Sequence, residues 1–215
     1  MPRPQPSRPE PRKAPRQARS TATVEAIRTA TVQVLLADGP TRLTTTRVAE
    51  RAGVSVGTLY QYYPHKRALL FAVLERHLHT IERTVLAATE RLAGGDLGSI
   101  AHGLAHAWLD AKTEDVETSR AMYRVAAEFD IAAVMTEGMR RLQHGIRRLL
   151  ATASDAQVDD PDAAAFMLTA LLGGSTRAVM ELGASDDDLA LLRRELPRVC
   201  HGYLDATGRG AAVIR

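Results

Sequence analysis

Cysteine is nearly missing from this sequence. Among 215 residues Cys200 stands alone, which excludes an internal disulfide and any zinc site built from several thiolates. Aromatic residues are also scarce: three Phe, five Tyr and one Trp, or 4% of the chain. Alanine, leucine and arginine dominate instead, a composition that favours an all-helical fold. No apolar run reaches the roughly 18 residues that span a bilayer, and no membrane partner is expected. The first residues lack the apolar core of a secretion signal, so the chain is expected in the cytoplasm. No Ser/His/Asp set, phosphate-binding glycine loop or pair of carboxylates stands out, so nothing points to an enzyme. Proline is sparse beyond residue 19, because six of the ten prolines fall before it.

What is present is unevenly distributed. Residues 1–70 carry 12 Lys and Arg against 4 Asp and Glu, whereas residues 71–215 carry 16 against 21. A small basic segment joined to a larger acidic one points to nucleic-acid binding at one end, with solvated surface as the plainer alternative. Residues 1–19 hold six Lys and Arg, one Glu and little to bury, so they are expected to form a disordered tail. That tail either adds nonspecific phosphate attraction or is passive.

From Ser20 the apolar positions take a helical period through Val24, Ile27, Ala30, Thr31, Val34 and Leu35, ending at Gly39-Pro40. Two short helices follow, each with the same entry signature. Thr44 is placed to cap the first, with Leu43 before it and Val48 four residues after it forming a hydrophobic staple. Ser55 repeats the arrangement with Val54 and Leu59, and Gly53 separates the two. Two stapled helices joined by a glycine turn make a helix-turn-helix. Further helices are expected over 66–93, 97–112, 115–129, 131–153, 161–183 and 186–206, with Pro197 kinking or interrupting the last.

On a helical wheel Leu59, Tyr63 and Val56 turn inward, while Gly57 and Gln61 turn outward, flanked by Thr58 and Tyr60. That outward face is uncharged within a basic segment, which suits base edges in a groove with cations at its rim. Gln61 can pair in bidentate fashion with an adenine, Thr58 offers a methyl and a hydroxyl, and Tyr60 can reach a phosphate. Gly57 costs about 0.5–1 kcal/mol in a helix and permits close backbone approach. Lys66 and Arg67 open the next helix, where cations oppose the helix dipole. A bound anion, such as a phosphate, would relieve that conflict. His65 stands at the cap position, an imperfect one for it.

Gly39 to Leu70, above all Val48-Ala49-Glu50-Arg51-Ala52-Gly53-Val54-Ser55 followed by Gly57-Thr58-Leu59-Tyr60 and Lys66, closely resembles the DNA-binding domain of TetR-family transcriptional regulators. The match covers about residues 22–70; beyond it only the helical layout agrees. The resemblance implies a DNA-binding domain over 20–68 and a helical effector-binding and dimerisation domain over 69–215. It further implies a homodimer on a palindromic double-stranded operator, a repressor released by a small-molecule effector, and no cofactor. Residues aligned with Thr45, Tyr60 and Lys66 usually meet phosphates in that family, and those aligned with Thr46, Val56, Gly57, Thr58, Gln61 and Tyr62 often face bases. Thr44, Arg47, Ser55 and His65 complete the expected DNA surface. Leu35 and Tyr63 stand where phenylalanine is usual, and Val56 and Gly57 offer bases no hydrogen bonds, which leaves part of the specificity to DNA shape.

In the C-terminal part, Trp108, Met122, Tyr123, Phe129, Met135, Met139 and Phe166, with His102 and His106, are candidates to line a pocket for a mainly apolar effector; ordinary core is the alternative for each. His102 and His106 at i, i+4 also have a spacing compatible with a shared metal, the basis of an alternative reading as a metal-dependent helical enzyme. That motif lacks a general-base Glu and a third ligand, so no metal is expected. Residues 161–182 are apolar nearly all round, which marks a helix buried on several sides. The resemblance makes it one half of a four-helix dimer interface with the segment near 186–206.

Overall fold

Turn-forming residues divide the chain where the sequence places them. The computed structural model describes residues 18–210. Helix α1 (Ala18–Arg42) is broken at Gly39, whose φ of 75° and ψ of 169° lie outside the helical region. Helices α2 (Thr45–Arg51), α3 (Val56–Tyr62) and α4 (Lys66–Leu92) follow, and α4 runs to the glycine pair that begins at Gly94, φ 80°. The remaining helices are α5 (Leu97–Thr113), α6 (Val116–Ala126), α7 (Ala132–Leu150), α8 (Pro161–Leu182) and α9 (Asp186–Thr207). The last helix is continuous through Pro197, so the expected interruption does not occur. Proline there removes one backbone donor; the buried Leu192, Leu196, Cys200 and Leu204 keep the helix seated on both sides of it.

The helical expectation meets one addition. The joint between α7 and α8 holds a three-residue strand, β1 (Ala156–Val158), paired antiparallel with β2 (Gly208–Gly210) just after α9. Asp159 N–H extends the pairing to the Thr207 carbonyl. Gly208 is required there by space: a Cβ would lie 2.8 Å from Leu97 Cδ1 and 3.1 Å from the Leu204 carbonyl oxygen. A three-residue strand has no usable period, so the sequence could not announce it.

Contacts divide the chain into two units. The first takes the described residues up to His77 together with Arg120–Ile131, and the second takes Leu78–Ser119 with the residues from Ala132 onward. In the first unit α1 lies against α2 and α2 against α3. Their shared core comprises Val24, Ile27, Val34, Leu43, Val48, Leu59, Tyr62 and Tyr63. Tyr63, where phenylalanine was the expectation, sits 1% exposed. Burial pushes its phenol up, an effect opposed by the adjacent Arg28 guanidinium.

In the second unit α5 lies against α9, α7 against α8, and α8 against α9. One core runs through Ile81, Leu104, Leu109, Ile146, Leu168, Leu172 and Leu204. The C-terminal half of α4 crosses close to two glycines. A Cβ on Gly103 would lie 2.3 Å from Leu92 Cδ2, and one on Gly145 would lie 2.5 Å from Leu86 Cδ2. Among the described residues α8 is the one helix long and apolar enough to cross a membrane, a property that a count of uninterrupted apolar residues misses. Its Ala164, Ala165, Leu168, Leu172 and Met180 are core, which accounts for the composition on that side. Phe166 and Leu182 on α8 are 58% and 86% exposed, and Leu191 and Val199 on α9 are each 49% exposed.

Candidate nucleic-acid interface

Helices of seven residues are too short to hold themselves in water, so end interactions and packing must do it. Thr44 caps α2 by accepting Arg47 N–H at 3.3 Å, and Ser55 caps α3 by accepting Thr58 N–H at 3.0 Å. Leu43, Val48 and Leu59 are buried at 1%, 0% and 0% exposure, and Val54 is half-buried. Between the helices Gly53 takes φ 66°. Val54 N–H reaches the Ala49 carbonyl at 3.0 Å and Gly53 N–H the Glu50 carbonyl at 3.1 Å, the paired bonds of a Schellman stop. The turn between the helices is thus fixed by its own backbone.

The two helices are joined across the turn by the Tyr60 and Thr45 hydroxyls, 3.1 Å apart. Tyr60 remains 39% exposed, and Gly57 and Gln61 are exposed beside it. The Gln61 amide makes no hydrogen bond among the described residues. Thr58 and Val56 are half-buried, with the Thr58 hydroxyl 2.8 Å from Ser55 Oγ. Thr44, Thr46, Arg47, Ser55 and His65 are exposed and Thr45 is half-buried. Arg47 pairs with Asp38 at 2.9 Å, which holds the guanidinium at the rim of the α2–α3 surface.

Tyr62 departs from its expected place. Its ring is 7% exposed and its hydroxyl lies 3.0 Å from Ser20 Oγ on α1, so it belongs to the core and not to the exposed face of α3. The wheel puts it at the edge; the first turn of α1 covers that edge, and only the tertiary structure shows the cover. Gly57 departs from nothing, but its reason becomes sharper. Its φ is not positive, and a Cβ would meet only Ser55 Oγ at 3.7 Å, ordinary contact. Among the described residues nothing requires glycine there.

The start of α4 is also arranged differently from expectation. His65 does cap the helix: its Nδ1 accepts Ala68 N–H at 3.0 Å while its carbonyl accepts Leu69 N–H. The ring therefore stands as the tautomer with a bare Nδ1. Lys66 turns its ammonium onto the Pro40 carbonyl at 2.5 Å and the Thr41 carbonyl at 3.5 Å. Arg67 lies over the Phe129 ring at 4.5 Å and donates to the Glu128 carbonyl at 3.3 Å. Both cations thus find acceptors within the first unit.

The residues expected to line an effector pocket are divided between the two units. Met122, Tyr123 and Phe129 belong to the first unit, and Phe129 packs on Phe71 with ring centres 5.8 Å apart. Phe166 is exposed on α8. His102 and His106 are exposed on α5, and His102 faces His201 of α9 with ring centres 5.4 Å apart. Among the described residues no group of three or more His, Cys, Asp or Glu could hold a metal ion. Within the second unit sequence spacing identifies helix faces but not which faces meet, and that is why Phe166, His102 and His106 lie outside the cavity that Trp108, Met135 and Met139 line.

Trp108, Met135 and Met139 do line one cavity of about 60 Å³ in the second unit, with Ile81, Val134 and Leu142. Its polar lining escaped the sequence reading. Glu82 on α4 receives both Arg141 Nε and, at 2.8 Å, Arg141 Nη2. The Arg141 hydrogen bonds hold the Glu82 carboxyl below its ordinary range. Lys112 is 6% exposed, and burial pushes its ammonium down to about 8. One signal could have found it: Lys112 continues the apolar stripe of Leu97, Ile100, Leu104, Trp108 and Leu109. The Trp108 indole is fixed in this wall by donating Nε1–H to Thr176 Oγ1 at 3.0 Å. A second, wider groove of about 650 Å³ runs along α4 and α7 past Arg140, His144, Arg148 and Glu90.

Residues 27–73 match the family described as bacterial regulatory proteins, tetR family, and residues 96–204 match the tetracyclin repressor-like C-terminal domain. No curated protein matches the chain. Several solved structures share the fold. A protein of Mesorhizobium loti assigned to the TetR-family transcriptional regulators has a TM-score of 0.72 at 20% identity, covering 90% of this chain and 100% of its own. The fatty acid degradation regulator FadR of Bacillus halodurans has a TM-score of 0.64 at 17% identity, covering 85% and 94%. SmeT of Stenotrophomonas maltophilia, repressor of the multidrug efflux pump SmeDEF, has a TM-score of 0.60 at 20% identity, covering 90% and 95%.

Proposed function

The chain belongs to the TetR family of transcriptional regulators, and from that premise we propose that it is a ligand-responsive repressor that binds a palindromic operator as a homodimer in the cytoplasm. The observation that carries the reading is the exposed, uncharged face of α3, with Gly57, Gln61 and Tyr60 outward and Thr58 beside them. Gln61 is a free amide fork suited to an adenine edge in the major groove. The Tyr60 and Thr45 hydroxyls, already bonded to each other, are set to share a phosphate oxygen, and an ammonium with three donors leaves Lys66 one more for the same backbone. Glycine at 57 then has an external reason, namely backbone approach to DNA.

Two further features support the dimer and the response. The apolar side chains of Phe166, Leu182, Leu191 and Val199, exposed on α8 and α9, suit a second copy of the chain. SmeT has also been solved as a complex with triclosan, so a protein of this fold takes a small molecule. In the proposed mechanism a ligand in the second unit biases α4, whose first turns belong to the DNA-binding unit. Paired recognition helices must sit about 34–36 Å apart to enter successive major grooves, and a ligand acts by its differential affinity for that spacing.

The test is a gel shift of the purified chain on its own upstream DNA and on a scrambled duplex, across a range of salt. Preference for the upstream DNA, with affinity falling steeply as salt rises, is the expected result. Equal affinity for both duplexes at low salt would contradict the reading.

A further inference from the structure

We propose that His102 on α5 and His201 on α9 together hold a divalent transition-metal ion of the kind that takes imidazole, such as zinc or nickel, and that the ion ties the two helices at the surface of the second unit. The pair is assembled by the fold, because α5 lies against α9. The ring centres are 5.4 Å apart with the planes at 75°. Two imidazoles on one ion, each nitrogen about 2.0–2.1 Å from it, have their ring centres about 5 Å apart. The observed spacing therefore needs only a small turn of either exposed ring to share an ion. Gly98, one turn before His102 on α5, makes the approach possible. A Cβ there would fall 3.2 Å from His201 Nε2 and 3.3 Å from its Cε1, so the His201 ring lies against bare helix backbone.

Neither ring is committed elsewhere. Both histidines are exposed, which leaves an entry path from solvent, and neither makes a hydrogen bond among the described residues. The surroundings favour a cation. The Cβ position at Gly98 is also 3.1 Å from Asp96 Oδ1, so that carboxylate stands beside the His201 ring. Asp96 and Asp155 accept the Ser99 and Leu97 N–H groups, which offsets the positive end of the α5 dipole. On α9 Arg198 stands one turn before His201 and is drawn to Glu195 at 3.5 Å, while Asp205 stands one turn after it. Cys200, next to His201 in sequence, is 1% exposed, and burial pushes its thiol up to about 11, so it is no rival ligand. Among the described residues no third His, Cys, Asp or Glu completes the set, so water fills the remaining positions.

The experiment titrates the full chain, free of any affinity tag, with zinc and nickel chlorides by calorimetry. Magnesium chloride is the control, because that ion prefers oxygen ligands. One zinc or nickel ion per chain at micromolar affinity is the expected result, with no binding of magnesium. Loss of even an outer-shell partner of a metal ligand costs about 10–100-fold in affinity, so His102→Gln and His201→Gln should each weaken binding at least about tenfold. His106→Gln should leave it unchanged. Both ligands are on the surface, so the variants should fold, and circular dichroism checks this. Zinc should also slow amide exchange over residues 198–205 in the parent chain and not in His102→Gln. The inference is overturned if neither zinc nor nickel binds at micromolar concentration, or if His102→Gln and His201→Gln bind as the parent does. It is equally overturned if His106→Gln loses the ion and His201→Gln keeps it, which would place the ion on α5 alone. None of these histidines belongs to the first unit, so the outcome is independent of the gel shift on DNA.

Discussion

In the α2–turn–α3 segment the partners that set the structure are three to five residues apart: Thr44 with Arg47, Ser55 with Thr58, Ala49 with Val54. In the helical bundle they come from far along the chain, as with Arg141 and Glu82 at 59 residues, Trp108 and Thr176 at 68, and Arg193 and Asp110 at 83. The first unit therefore presents a surface dictated by local rules, and a change of one residue there has a local meaning. The cavity of the second unit exists only because distant helices meet, and a change there acts through packing and charge. Substitutions in the two regions should fail in different ways.

The largest effect is expected in the core of the first unit. Leu59 is fully buried at the staple position of α3, and Leu59→Ala should cost about 2–5 kcal/mol. Amide exchange over residues 45–62 should rise and DNA binding should vanish, while Trp108 emission stays native because that ring belongs to the second unit. Loss of the native Trp108 signal at the same denaturant concentration would show that the units do not differ in this way.

An intermediate effect is expected at the Glu82–Arg141 pair. Arg141→Ala leaves the Glu82 carboxylate in the cavity wall without its fork and should cost about 1–2 kcal/mol by chemical denaturation, the Arg141 side chain being a third exposed. The pair also makes stability depend on pH. Because Arg141 holds the Glu82 carboxyl below its ordinary range, the unfolded chain takes up that proton at a higher pH than the folded chain does. The contribution is whole at neutral pH and is lost as pH falls through the ordinary carboxylate range and below it. Stability of Glu82→Gln should therefore fall less steeply over that window than stability of the parent chain.

The smallest effect on stability carries the sharpest contrast. Gly57→Ala meets no internal obstacle and should stabilise the protein by about 0.5–1 kcal/mol, while weakening binding to its DNA. Gly53→Ala, at φ 66°, should destabilise it instead. If Gly57→Ala binds DNA as the parent does, close backbone approach is not the reason for that glycine.

Much of the first unit was legible because its signals are short-range: the Thr44 and Ser55 caps, the buried Leu43, Val48 and Leu59, and the glycine stop. Tyr62 was not, since what covers it is Ser20 on α1, 42 residues away. Nor was the use made of Lys66, whose acceptor, the Pro40 carbonyl, lies near the end of α1, 26 residues away. In the second unit helix positions were legible and the assembled cavity was not. Trp108, Met135 and Met139 were picked out by residue type, whereas Glu82 and Arg141 look in sequence like ordinary surface charges. The strand pair β1–β2 had no pattern long enough to register.

The claim on which the rest depends is that α3 reads bases through Gln61 while Lys66 holds the phosphate backbone. Selection from a randomised duplex pool with the parent chain, Gln61→Ala and Lys66→Ala tests it most directly. The parent chain should enrich a palindrome whose half-site centres lie about 10 base pairs apart. Gln61→Ala should relax preference at one base pair in each half-site, and Lys66→Ala should lower affinity for every sequence and leave the preference as it was. Enrichment of no motif by the parent chain, or identical motifs from Gln61→Ala and the parent, would contradict the account.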